Sequence, residues 1–278
     1  MRRPRLFEIT DFGWLPGSLR DAATDDLRFK WQRSGLYRPV AARLARLLTA
    51  SGTDRVLDLA SGGGGPVLAV YRELAENGIK IRVTLTDRYP NLPAFAYLEK
   101  VSGGDICSIR DPVDAAAVPP TTGGVRMLCA AAHHFPPETL TAILRDAVEH
   151  RCPVAIFDIS APPTLPSPIM CLLASPPGVI LSMPFIRPFR WSRLFWTFVL
   201  PLLPPLVLWD ALVSALRAYS VKQLEGIVRE LPPNDYIWEI GKESFPNTIT
   251  YLTGFPAPSK FSTPLTSPAA QDALGEGL

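Results

Sequence analysis

Apolar residues first recur at helical spacing at Val40, Leu44, Leu47 and Leu48. From residue 55 onward the pattern changes to short apolar runs separated by longer amphipathic stretches. Arg55–Leu59, Ile79–Thr86, Val125–Ala131 and Val154–Ile159 read as strands, and helices are predicted over 66–77, 92–101 and 138–150. Strands alternating with helices in this way predict a buried parallel sheet with helices on both faces. The alternation stops at Ile159. Residues 160–219 carry eleven of the thirty prolines and no charge apart from Arg187, Arg190, Arg193, Asp210 and Arg217, which marks them as an insertion. The earlier pattern returns at Ser220, which can cap a helix that buries Leu224, Ile227, Val228 and Leu231. Tyr236–Gly241 and Thr248–Thr253 then read as an antiparallel pair. The expected organisation is a helical lead-in over 1–50, an α/β core over 51–159 and 220–258, an apolar insertion over 160–219, and a polar, unpatterned tail over 259–278 that predicts disorder.

The first strand runs directly into Leu57-Asp58-Leu59-Ala60-Ser61-Gly62-Gly63-Gly64-Gly65-Pro66. Four glycines let a backbone approach a ligand without Cβ atoms in the way, and Pro66 suits the first turn of a helix whose N-terminus offers unpaired N–H groups. A glycine-rich turn of this kind also serves dinucleotides, but the third glycine of that fingerprint is missing: Val67 or Leu68 stands there, according to where the count begins. Asp58 lies four residues before Gly62, and a second acid, Asp87, ends the next strand. A carboxylate at a strand tip can accept both hydroxyl hydrogens of a ribose.

With those residues the sequence resembles the class I S-adenosylmethionine (SAM)-dependent methyltransferases. The match covers about residues 40–159 and 220–256. Asp58, Ala60, Gly62 and Gly64 fit the first motif, which the resemblance assigns to the methionine part of S-adenosyl-L-methionine. Asp87 matches the ribose-binding acid, and Gly104-Asp105-Ile106 matches a step whose acid or neighbour lies beside the adenine. Cys129-Ala-Ala-Ala-His133-His134-Phe135 looks like the end of the fourth strand, and the closing hairpin is similar to strands six and seven. The resemblance implies a seven-stranded Rossmann-like α/β sheet, mostly parallel with a terminal antiparallel hairpin, and SAM as cofactor. Other readings stand beside these. Asp58 can hold the loop through backbone N–H groups, Asp105 can be a turn residue before Cys107, and Asp87 followed by Arg88 suits a phosphorylated ribose.

Methyl transfer is an in-line displacement, so positioning the acceptor and excluding water supply much of the catalysis, and a base helps only where the acceptor atom carries a proton. His133 and His134, two of the three histidines, are the candidate catalytic residues because they fall at a strand tip on the ligand-binding edge. A loop histidine packed against Phe135 explains either one equally well. Tyr37 and Arg38 precede the lead-in helix and are weaker candidates.

The 28 basic and 26 acidic residues nearly balance, which excludes nucleic acid as a default partner, although residues 1–50 hold ten Lys/Arg against five Asp/Glu. Arg38, Arg43 and Arg46 on solvated helix faces account for that excess. Cys107, Cys129, Cys152 and Cys171 show no metal-ligand spacing, so no metal is expected and a reducing, cytoplasmic setting is. The basic start lacks an apolar run and a cleavage site, and no secretory signal is expected.

The insertion has no charge over the 28 residues between Asp158 and Arg187, but its prolines argue against clean membrane-spanning helices. The mix of Arg187, Arg190, Trp191 and Arg193 resembles interfacial anchors, which points either to a lid over a small lipophilic acceptor or to peripheral contact with the inner face of a membrane. The competing functions are an NAD(P)-dependent reductase and a catalytically inactive, membrane-associated binding protein on the same fold.

Overall fold

In a computed structural model, residues 6–119, 122–159, 176–244 and 248–257 are described. The expected tail over 259–278, Cys171 and the first part of the insertion lie outside them. Two helices, α1 (Gly17–Ser34) and α2 (Arg38–Ser51), precede the core. Then come β1 (Arg55–Asp58), α3 (Val67–Glu76), β2 (Arg82–Leu85), α4 (Leu92–Val101), β3 (Ile106–Ser108), β4 (Val125–Cys129), α5 (Pro137–Glu149) and β5 (Val154–Ile159). The described part of the insertion forms α6 (176–182), α7 (Trp191–Leu194), which continues as a π turn over Phe195–Val199, and α8 (Leu203–Arg217). Helix α9 (Val221–Arg229) follows, closed by the predicted Ser220 cap and its partner Gln223, and then β6 (Tyr236–Ser244) and β7 (Thr248–Pro256).

The seven strands form one sheet in the order β3-β2-β1-β4-β5-β7-β6, parallel except for β7, which runs antiparallel to both β5 and β6. Alternate residues face opposite layers. Val56, Met127, Ala155, Phe157 and Tyr251 pack with α2, α3 and α4, whereas Leu57, Leu128, Ile156 and Leu252 pack with α5 and α9. Full burial of these side chains is worth about 1.5–3 kcal/mol each, enough to fix the register, since a one-residue slip would exchange the two faces. The expected Rossmann-like seven-stranded fold is present. Arg43, expected on a solvated face, instead bridges α2 to Glu239 and Glu243 of β6.

Within the expected helical lead-in, α1 shows no amphipathic pattern because its inward face mixes charged residues with Leu19, Ala22 and Ala23. Asp25, Asp26 and Arg28 are buried, while Leu27 is exposed. They meet the insertion: Asp25 pairs with Arg193 at 3.1 Å and Arg190 at 3.5 Å, and Asp26 accepts from Ser182 at 2.7 Å and from Lys30 at 2.6 Å. Asn91, the N-cap of α4, donates to Thr24 and Asp25 of α1 and accepts from Arg190. A third apolar cluster, including Leu19, Ala22, Val179, Met183 and Leu206, completes this cap on the core.

Removing one partner of a buried charge network leaves the others uncompensated, at a cost of about 3–5 kcal/mol. Asp25→Ala should therefore lower the urea midpoint substantially, and a variant as stable as the parent would show that the network is not structural.

Candidate active site

The carboxyl ends of the parallel strands gather most of the candidate residues along one edge. Asp58 ends β1, and its carbonyl accepts from Ser61 Oγ at 3.0 Å and Thr86 Oγ1 at 2.9 Å, which fixes the turn. Ala60 adopts φ +55°, a left-handed conformation costly for a residue with a Cβ, and Ala130 does the same at φ +57° just beyond β4. Backbone strain at two adjacent strand tips is the kind that surrounding structure must hold in place.

Gly64, at φ +87°, is required by its conformation, and Gly63 by contact: a Cβ there would lie 2.7 Å from the Thr24 carbonyl oxygen. Part of the close approach expected for a ligand is thus made by α1. The N–H of Gly62 donates to Asp87 Oδ2 at 2.6 Å, and Tyr89 N–H donates to Asp87 Oδ1 at 2.7 Å. Each carboxylate oxygen has a second lone pair for a further donor.

Asp58 is buried, and its Oδ1 has no hydrogen-bond partner. Burial raises its pKa to about 8, with the Asp87 charge adding to the rise and a Ser61 hydrogen bond opposing it. An orphaned, buried acceptor beside a glycine loop is matched to a ligand that brings a cationic donor.

Asp105 and Ile106 are not at this edge. Residues 103–104 turn left-handed between α4 and β3, and β3 begins at Ile106, parallel to β2, so both residues sit at the opposite, amino end of the sheet. Asp105 accepts from Tyr71 Oη at 2.6 Å, and Ile106 is a core residue. At the carboxyl edge the chain leaves β3 through Ile109 to Val113, whose N–H donates to the Asp87 carbonyl at 2.9 Å. Asp111 lies in that segment. Counting from the end of β3 rather than its start would have found it.

His133 and His134 lie in a 3₁₀ turn beyond β4, their rings 4.5 Å apart. His133 is buried; its N–H donates to Asp158 Oδ2 at 2.8 Å, and its Nδ1 lies 2.8 Å from Asp158 Oδ1 at the tip of β5. A carboxylate at Nδ1 holds that nitrogen protonated and leaves Nε2 as the basic one. Nε2 faces Glu8 Oε1 at 3.8 Å. Glu8 and Asp158 were not anticipated. Glu8 is far away in sequence, and its segment is pinned by Asp210 of α8, which accepts from Ile9 N–H, Thr10 N–H and Thr10 Oγ1.

His134 has a different character. Burial opposes its charge, but Glu8 and the hydrogen-bonded Asp11, 2.7 Å from Nδ1, outweigh it and raise the pKa to about 9. His134 is therefore a cation near neutral pH, able to donate but not to serve as a base. Glu8, His133 and His134 offer ligand atoms within 4.8 Å of one another, but Arg217, 3.5 Å from Glu8 Oε1, already supplies positive charge there. Tyr37 is buried with its hydroxyl unpartnered, and burial, with smaller contributions from Cys129 and Asp158 at the tips of β4 and β5, raises its pKa; Arg38 is exposed beside Glu73.

No protein-family model matches the chain, and no curated protein matches it. Solved structures resemble it in fold. The mitomycin 7-O-methyltransferase MmcR aligns at a TM-score of 0.48 and 16% identity over 80% of this chain and 54% of that one. An O-methyltransferase family protein from Burkholderia thailandensis gives 0.46 and 16%, over 81% and 57%. Magnesium protoporphyrin IX methyltransferase from Synechocystis PCC 6803, with bound SAH, gives 0.44 and 15%, over 82% and 86%. The chain spans little more than half the length of the first two.

The raised pKa of His134 has a stability consequence. Its stabilisation is fully present below the unfolded value of 6.5 and is lost as pH rises through about 9. The urea midpoint should fall over that window, and His134→Gln should remove its share of the fall. An identical slope in the variant would contradict the assignment.

Proposed function

We propose that the protein is a SAM-dependent methyltransferase acting on a hydroxyl of a small lipophilic acceptor. The observation that carries this reading is the placement of the orphaned Asp58 carboxyl and the Asp158-oriented His133 at the carboxyl ends of two neighbouring strands, β1 and β4, of one sheet. Asp58 and the Gly62–Gly64 backbone would hold the methionine part of SAM and Asp87 the ribose, with Asp111 rather than Asp105 toward the adenine. When bound, SAM supplies an electrophilic methyl group on a sulfonium.

The chain's own residues do the rest. Asp158 fixes the tautomer of His133, which leaves Nε2 as the atom that would take the proton of an acceptor hydroxyl during methyl transfer. Cationic His134 and Arg217 hold Glu8 and Asp11 in place around the ring. The apolar cap formed by α1 and the insertion suits exclusion of water and a lipophilic acceptor. Peripheral contact of that cap with a membrane belongs to the same reading, within a cytoplasmic enzyme.

Calorimetry with SAM and NADPH tests the class. SAM binding with a dissociation constant weakened by Asp87→Ala supports the proposal. Binding of NADPH alone would make the protein a reductase, and binding of neither would leave a scaffold. His133→Ala should keep SAM affinity while turnover on a hydroxyl acceptor falls by about 10²–10⁴; undiminished turnover would remove the base.

A cationic ammonium at Asp58 favours the ionised carboxylate, so SAM affinity should rise as pH approaches about 8, with a proton released on binding. Asp58→Asn should abolish that dependence, and an unaltered pH profile in the variant would place the ammonium elsewhere.

A further inference from the structure

The helix formed by α7 and its π turn carries its polarity the wrong way round for a surface in water. Arg193 and Thr197 are 1% and 3% exposed, whereas Trp191, Phe195, Phe198 and Val199 are 77%, 43%, 57% and 72% exposed. The outward residues fall at helical spacing and form a stripe. The same inversion continues through α6 and the turn after it, where Ser182 is buried while Leu181 and Phe185 are 71% and 68% exposed. Soluble proteins rarely leave so large an apolar face uncovered unless something docks on it.

No single helix among the described residues is long and apolar enough to cross a membrane. Trp191–Val199 and Leu203–Arg217 qualify only together, and they meet at 90°. That bend suits an element lying in an interface rather than spanning it.

The charge pattern selects the partner. Across 160–219 the only acid is Asp210, and it is buried against Ile9 and Thr10. The exposed charges beside the apolar face are basic: Arg187, and Arg33 from α1. Arg33 and Lys30 also line a cavity of about 700 Å³ with Phe29, Leu181 and Phe185. An apolar face with exposed cations beside it complements a lipid surface with anionic headgroups, which attracts basic residues near it.

We propose that the face presented by Trp191, Phe195, Phe198 and Val199 docks the protein on an anionic membrane surface, inserting its aromatic side chains among the headgroups while Arg187 and Arg33 contact lipid phosphates. This deepens the membrane element of the proposed function and is independent of its chemistry, because lipid binding needs neither cofactor nor acceptor.

Flotation of the full chain with vesicles of phosphatidylcholine, alone or mixed with phosphatidylglycerol, provides the test. The protein should float with the mixed vesicles, and Trp191→Ser/Phe195→Ser/Phe198→Ser should weaken binding at least about tenfold while circular dichroism is preserved. Arg33→Glu/Arg187→Glu should reduce binding to the mixed vesicles selectively. A second measurement covers a triple variant that fails to fold: brominated phosphatidylglycerol should quench tryptophan emission of the parent, with the largest loss of quenching in Trp191→Phe. The proposal fails if the folded parent ignores both vesicles, if it binds both equally, if Trp191→Phe leaves quenching unchanged, or if the parent is a dimer that the triple variant dissociates, which would make the face a contact between copies. SAM calorimetry on the same preparation separates this outcome from the fate of the methyltransferase reading.

Discussion

The structure depends on charges being buried where two separate parts of the chain meet. Asp25 sits fully enclosed between Arg28 of its own helix and Arg190 and Arg193 of the insertion. A buried carboxylate or guanidinium without a partner is costly in an apolar interior; Asp25 offsets part of this positive charge, and Asp21, 2.7 Å from Arg190, offsets more of it. The same helices also bury Leu19, Ala22, Val179 and Leu206, so the interior of the cap is part ionic and part apolar, and separating α1 from the insertion breaks both sets of contacts.

Beyond β4 the electrostatics divide two adjacent histidines. Asp158 at one end of His133 sets a tautomer, while Asp11 and Glu8 around His134 hold a proton on it. The two rings are nearly in contact, yet one is oriented by a single carboxylate and the other is kept protonated by two. Arg217 and Asp210 extend this cluster into α8, so the insertion contributes to the charge around the two histidines.

The sheet was legible in the sequence because its strands are buried on both faces, and continuous apolar runs such as Val154–Ile159 announce themselves. The glycine loop was legible as a turn at a strand tip, but such a turn serves several nucleotide ligands, and only Asp58 before it and Asp87 one strand later narrow the reading. Gly104-Asp105-Ile106 matches its motif as a string, but β3 is only three residues long and begins at Ile106, a strand too short to show in the apolar pattern, so the end of the sheet at which Asp105 lies was not legible. Glu8 and the acids of α1 left no local pattern at all, since what makes them notable is a partner some 125 to 200 residues away. Helix α1 itself left no clear pattern for the same reason: a helix whose inward face is part ionic does not look amphipathic in the usual sense.

Asn91 joins these regions through a single amide. It caps α4 directly after the loop that carries Asp87, grips Thr24 and Asp25 of α1, and accepts from Arg190 of the insertion. The segment that follows Asp87, helix α1 and the insertion share that one fastening, so removing this amide would loosen three regions that are remote in sequence at once.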